Sequence, residues 1–153
     1  MGPPRTDDQS VNGPYVFHNV TRGVALATRV AIAGDSETRR RGLLDADHLE
    51  SGSGLWIVPC EAIHTFGMKV RLDIVFLDKL LRVKKISHDL GPRRMSVCLR
   101  AHSVLELPAG AVARSGTQIG DQLQRNPKSA DDATDAARPE NSAGCSGGQC
   151  RSL

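Results

Sequence analysis

Cys60, His64 and Asp73 are the residues of this chain whose types and spacing would do chemistry. The run Cys60-Glu61-Ala62-Ile63-His64 places a thiol just before an imidazole, and Asp73 follows at the head of an apolar run. A thiolate stabilised by an imidazolium is a nucleophile. A carboxylate that fixes the imidazole in one tautomer would complete a hydrolytic site. Cys60, His64, Cys98 and His102 would together offer four ligands to a zinc ion. Both Cys-His spacings are loose, and neither has the usual knuckle form. The plain alternative is a small buried thiol, a histidine hydrogen-bonded at a strand end, and an Asp73 that accepts backbone N–H bonds.

A binding site would draw on a wider set. Arg39, His64, Thr65, Met68 and Asp73 would line a concave side, with the Arg39 guanidinium taking an anionic group in a bidentate grip. Its ligand would be a small polar molecule, a glycan or a partner peptide. Only one of Arg39, Arg40 and Arg41 can face inward from a helix, and a solvated basic face is the other reading. Glu106 alternates with Leu105 and Leu107, which directs it away from them and toward solvent, or toward Arg39 or Arg100 if that face is covered. Cys145 and Cys150 form a C-x4-C in a Gly/Ser-rich segment. They would clasp a soft metal or close a small disulfide loop, although two ligands alone hold a metal weakly.

The elements that position these residues read as strands. Tyr15-Val16-Phe17 opens the fold, and Val24 to Ile32 alternates branched residues with small or polar ones. Gly54 to Val58 is a strand stopped by Pro59, and Leu72 to Leu77 is the strongest strand in the chain. Asp78-Lys79 supplies a tight turn into Leu80 to Ile86, which makes a β-hairpin with Leu81, Val83 and Ile86 inward. Ser103 to Leu107 is halted by Pro108, Ala109 to Ser115 gives a helical turn or two closed by Gly116, and Ile119 to Leu123 gives a last short strand. A helix of about two turns follows Asp35 or Ser36 and ends at Gly42. Short strands with little helix predict a mainly β domain, an antiparallel sandwich or barrel with one or two short helices.

The chain has 153 residues, and apolar types make up 39% of them. The large apolar side chains concentrate in residues 14–125, the expected single domain, while 1–13 and 126–153 have the composition of disordered ends. Residues 14–125 hold 16 Lys and Arg against 11 Asp and Glu, a net of +5. That surplus permits an acidic partner but falls short of a nucleic-acid-binding face, and five aromatic residues offer no stacking platform. No window reaches the roughly 18 apolar residues of a membrane span. The N-terminus lacks the apolar stretch of a secretory signal, which predicts a cytoplasmic chain unless a leader has been removed.

Three segments carry a resemblance. They are Arg39-x-x-Gly42-Leu43, the block from His64 to Asp78, and Leu105-Glu106-Leu107-Pro108-Ala109-Gly110 followed by Ile119-Gly120-Asp121. In this order the chain resembles the family of domain of unknown function 192 over roughly residues 22–124. The resemblance implies a compact, mostly β, sandwich-like or barrel-like fold with few helices. It implies no reaction, because the family has no established activity. The commonest form of its pattern has Trp-Met-Lys-Asn-Thr and Ile-Pro-Leu-Asp in the central block. Here His64-Thr65-Phe66-Gly67-Met68 takes the first place, and Arg71 stands where a proline is usual. The His-Thr form is similar to that of a subgroup with a cysteine just upstream, as Cys60 is here.

These readings converge on a non-enzymatic binding or accessory module for a small molecule or protein partner, with no cofactor required. The alternatives are a cysteine or metal-dependent hydrolase using Cys60, His64 and Asp73, and metal or redox handling by the C-terminal cysteines.

Overall fold

The computed structural model describes residues 15–33 and 49–128. Arg39 with the expected first helix lies outside the described residues, and so do Cys145 and Cys150. Among the described residues nine strands follow in chain order: β1 (Tyr15–Asn19), β2 (Val24–Ala33), β3 (Ser53–Ile57), β4 (Ala62–His64), β5 (Leu72–Leu77), β6 (Val83–Leu90), β7 (Met95–Val97), β8 (Ser103–Pro108) and β9 (Leu123–Pro127). A short helix, α1 (Ala111–Ser115), lies between β8 and β9. Seven strands form one sheet in the order β6-β5-β8-β3-β2-β1-β9, and β4 and β7 form a separate two-stranded ribbon.

Among the described residues every pairing is antiparallel except β2 with β3, which run parallel from Arg29↔Ser53 to Ala33↔Ile57. The sheet curls until its ends approach. Arg82 and Gln122 form an isolated bridge, and Val83 N–H donates to Asp121 O at 2.9 Å while Leu123 N–H donates to Leu81 O at 3.0 Å. The result is the mainly β, barrel-like domain expected from the strand pattern.

Strand alternation sorts the apolar residues onto two faces. Phe17, Val30, Trp56, Val75, Leu77, Leu105, Leu107 and Leu123 fill the inside of the curl, with Val112 of α1 closing one end. Leu55, Ile57, Leu72, Ile74, Phe76 and Val104 lie on the opposite face, where Ile63 of the ribbon and Met68 cover them. All six residues of β5 and all six of β8 are buried, so these neighbours carry core on both sides. Each fully buried Leu or Phe there contributes roughly 1.5–3 kcal/mol. At the edge of the inner core the Arg125 guanidinium sits 4.7 Å from the Trp56 ring and 4.9 Å from the Tyr15 ring, a favourable cation–π position.

Local connections depart from the simplest sequence reading. Asp78 turns the chain over a longer span than two residues. Its Oδ1 accepts the N–H groups of Leu80 at 2.9 Å and Arg82 at 3.0 Å. Leu80 therefore projects into solvent at 75% exposure, and β6 begins only at Val83. The expected strand at Ile119 to Leu123 is displaced as well. Residues 117–121 form turns held by Asp121, and β9 runs on to Pro127, two residues into the segment expected to be disordered. The ribbon strands β4 and β7 were not anticipated, because three-residue strands carry too little alternation to register.

Candidate functional site

Asp73 lies on the face of β5 that carries Val75 and Leu77, inside the curl. It is 1% exposed. Its Oδ1 accepts the Asp89 N–H and its Oδ2 accepts the Val112 N–H, both at 2.9 Å. Arg71 reinforces this bracket. Its Nε and Nη2 grip both Asp89 carboxylate oxygens at 2.5 and 2.8 Å, and Nη2 also donates to Asp89 O at 3.0 Å. The hydrogen bond and charge of Arg71 hold the Asp89 carboxyl below its usual range despite some desolvation. The residue at the position where a proline is usual thus anchors the strand end that Asp73 needs.

His64 is on the other side of the sheet. It ends β4, in the ribbon covering the second core, and its exposed ring stands 5.7 Å from that of Phe66. The sheet separates the imidazole from the Asp73 carboxylate, so the expected His64–Asp73 pairing does not form. The physical reason is alternation: Asp73 sits between Leu72 and Ile74, which belong to the outer core, and so it must point inward.

Thr65 and Met68 are likewise turned away from any open hollow. Thr65 is fully buried and ties its loop to residues 91–94. Its hydroxyl donates to Gly91 O at 2.7 Å and accepts the Arg94 N–H at 2.9 Å, while its own N–H donates to Arg94 O at 2.9 Å. Met68 is 6% exposed and packs into the outer core. Of the described residues in the expected binding set, only His64 offers its side chain to a partner.

The cysteine reading changes in the same way. Cys60 donates from Sγ to Ala62 O at 3.2 Å, and Cys60 and Cys98 are half-buried thiols outside any disulfide, packed against the outer core. Backbone bonds do draw this neighbourhood together: Cys60 N–H to His102 O at 3.0 Å and Cys98 N–H to Glu61 O at 2.8 Å. Yet among the described residues no three His, Cys, Asp or Glu side chains converge as metal ligands. Cys60, His64, Cys98 and His102 therefore do not assemble the four-ligand set, and Cys60, His64 and Asp73 do not assemble a triad.

Two features escaped the sequence reading. The first is the outer face of the ribbon. Register pairs Ala62 with Val97 and His64 with Met95, while Ile63 and Ser96 face the core. Met95 (63%) beside His64, Phe66 (51%) against its ring, Val97 (42%) opposite Ala62 and Leu99 (79%) just beyond the end of β7 are all exposed. Arg93, Arg94 and Arg100 flank this surface, and among the described residues none of the three has an acidic partner. Leu90 to Arg94 reads from sequence only as a loop, and Met95 to Val97 is too short a run to register as a strand.

The second is Glu106. Exposure was expected, but it is 4% exposed, held between Leu55 of β3 and Ile74 of β5 on the outer-core face. Its Oε2 has no hydrogen-bond partner among the described residues. Burial raises its carboxyl to about 7. The direction inferred from alternation, away from Leu105 and Leu107, holds; what covers that face was not legible.

The profile of domain of unknown function 192, described as Uncharacterized ACR, matches residues 17–125. The chain belongs to this family. Two solved structures share the DUF192 chain's fold. One is a protein of unknown function from Novosphingobium aromaticivorans DSM 12444, 22% identical with a TM-score of 0.64, covering 72% of this chain and 83% of that one. The other is a protein from Sinorhizobium meliloti 1021 described as a candidate transcription regulator. It is also 22% identical, with a TM-score of 0.66, and covers 74% of this chain and 92% of that one. No curated protein matches the chain. Likeness at this identity establishes the fold of the DUF192 chain and carries no activity with it. No helix among the described residues is long and apolar enough to cross a membrane.

Proposed function

We propose that this chain is a non-enzymatic binding module whose contact surface is the outer face of the β4–β7 ribbon, and that its partner is an acidic, partly apolar protein segment. One observation carries the reading: exposed Met95 pairs with His64 and exposed Val97 with Ala62 on a ribbon whose other face is used by the core, with exposed Phe66 5.7 Å from the His64 ring and exposed Leu99 two residues beyond Val97. Aromatic, Met and Arg side chains are the types enriched at protein interfaces, and contiguous exposed apolar surface marks interaction sites. The flanking Arg93, Arg94 and Arg100 supply the charge complement for carboxylates. The hydrolase reading has no comparable support, since Asp73 stands on the opposite face of the sheet from Cys60 and His64.

The test is a displayed-peptide selection against the wild-type protein and against Phe66→Ser/Met95→Ser. Recovered sequences should interleave Asp or Glu with apolar residues. Their affinity should fall at least about tenfold in the double variant, the effect of losing one interface anchor. Both side chains are exposed, so the melting temperature should stay close to wild type. Absence of enrichment, or equal binding by the double variant, would refute the proposal.

A further inference from the structure

A second site lies away from the ribbon, between β2 and α1. β2 is longer than the strand beside it. Residues 24–27 pair with β1, but β3 begins pairing only at Arg29. The edge of residues 24–27 opposite β1 therefore has no strand partner among the described residues. α1 lies across this edge, and a helix cannot complete a β-ladder. A solvent-open cleft of about 210 Å³ remains between them, lined by residues 24–28, Ser51 and Gly52 on one side and by Ala111, Arg114 and Ser115 of α1 on the other.

Arg114 is the only charged side chain among these lining residues. Its guanidinium folds back along α1, so that a Cβ built on Gly110 would stand 3.1 Å from its Nη1. Gly110 has φ +86°, and the missing side chain leaves that approach open. Arg114, Thr28 and Ser51 are exposed at the mouth of the cleft, and among the described residues the guanidinium has no acceptor and the two hydroxyls no partner, which leaves all three open to a ligand from solvent. The nearby carboxylate of Glu50 is already taken by Arg29 at 2.6 Å.

We propose that this cleft binds a small carboxylate carrying its own N–H donor, of the size of one N-acylated amino acid or the terminal residue of a peptide. The volume holds about seven waters at roughly 30 Å³ each, less than the ~300–1,000 Å³ of sites for larger ligands. A guanidinium matches a carboxylate in two parallel hydrogen bonds. One guanidinium balances one negative charge, so a doubly charged phosphate would leave its second charge against strand carbonyls. Those carbonyls instead accept an amide N–H, as the missing neighbouring strand would have supplied. Leu26, Ala27 and Ala111 give the cleft an apolar floor for a short side chain.

Amide-resolved NMR titration of the full chain tests this with three probes: N-acetylalanine, its carboxamide, and an acetylated alanine tripeptide with a free carboxylate. N-acetylalanine should shift the amides of residues 24–28, 51–52 and 111–115, and bind at least about tenfold tighter than the carboxamide. Arg114→Gln should erase that preference, and Arg114→Lys should restore part of it. Tighter binding of the tripeptide, with shifts spreading along 24–27, identifies a peptide end as the ligand; equal binding identifies a free acylated amino acid. No shift at about 10 mM, well above a millimolar Kd, overturns the proposal. Equal binding of acid and carboxamide to the wild type does so too, whatever the fate of the variants.

Discussion

The Asp73 carboxylate and the Val112 backbone N–H meet at 2.9 Å, 39 residues apart in sequence. Through this bond and its partner to Asp89, one buried side chain fixes the start of α1 and the end of β6 to the central strand β5. Asp73→Ala leaves both N–H groups without their acceptor and should cost about 3 kcal/mol in urea unfolding, against about 2 kcal/mol for Asp73→Asn, which keeps one acceptor oxygen. Binding at the ribbon face should be unchanged in the folded fraction. A loss of ribbon binding with unchanged stability would return Asp73 to a functional role.

Glu106 predicts a pH dependence of opposite sense to that of most carboxylates. Its folded value is raised from 4.5 to about 7, so between those limits the folded state keeps a proton that the unfolded chain has lost. Stability therefore declines as pH rises from about 4.5 to about 7 and levels off above. The span is worth on the order of 3 kcal/mol, or on the order of 10 °C in melting temperature for a domain of this size. Thermal melts at pH 5 and pH 8 should differ by that order in the wild type and much less in Glu106→Gln. Identical pH profiles for the two proteins would count against a buried, unpartnered acid.

Asp121 gives the conventional case. Its Oδ2 gathers the Arg22 Nε at 2.6 Å, the Asn19 Nδ2 at 2.8 Å and the Gln118 N–H at 2.9 Å. Burial works to raise this carboxyl, but the hydrogen bonds from Arg22, Asn19 and Gln118, with the Arg22 charge, outweigh it and hold it below its usual value of 3.8. The stabilisation is complete above that value and lost as pH falls through the lower folded one. Asp121→Asn should destabilise the protein at neutral pH and flatten the steepest part of its acid unfolding curve. An unaltered acid transition would show that the cluster contributes little.

Thr65 joins two loops through one hydroxyl that both donates and accepts. Thr65→Val keeps the shape and leaves Gly91 O and the Arg94 N–H unpaired, at a cost of about 2 kcal/mol. Thr65→Ser should cost less than half of that. Hydrogen exchange should speed up selectively in residues 91–97 of the valine variant. Uniform acceleration across the domain would mean that the threonine acts on global stability alone.

The strands at Val24, Gly54, Leu72 and Ser103 were legible in the sequence because each is long enough for alternation or a continuous apolar run to show. The helical turn after Pro108 was legible too, since Gly110 and Gly116 bracket it at left-handed φ values of 86° and 65°. Alternation also gave the correct direction for Glu106, away from its leucine neighbours.

What the sequence could not supply was the cover over each face. Whether Glu106 meets water depends on what packs above β8, and whether Asp73 can reach His64 depends on which side of the sheet the ribbon folds onto. Those are contacts between residues far apart in the chain, and period-two patterning assigns faces without saying what lies opposite them. The residue types and their order determined a β-rich domain of the DUF192 family; only the tertiary structure decided that its conspicuous carboxylate is a buried bracket and that His64 and Met95 are exposed side by side on a ribbon of two three-residue strands. Backbone geometry acts locally and can be read locally, whereas burial is a property of the whole assembled chain.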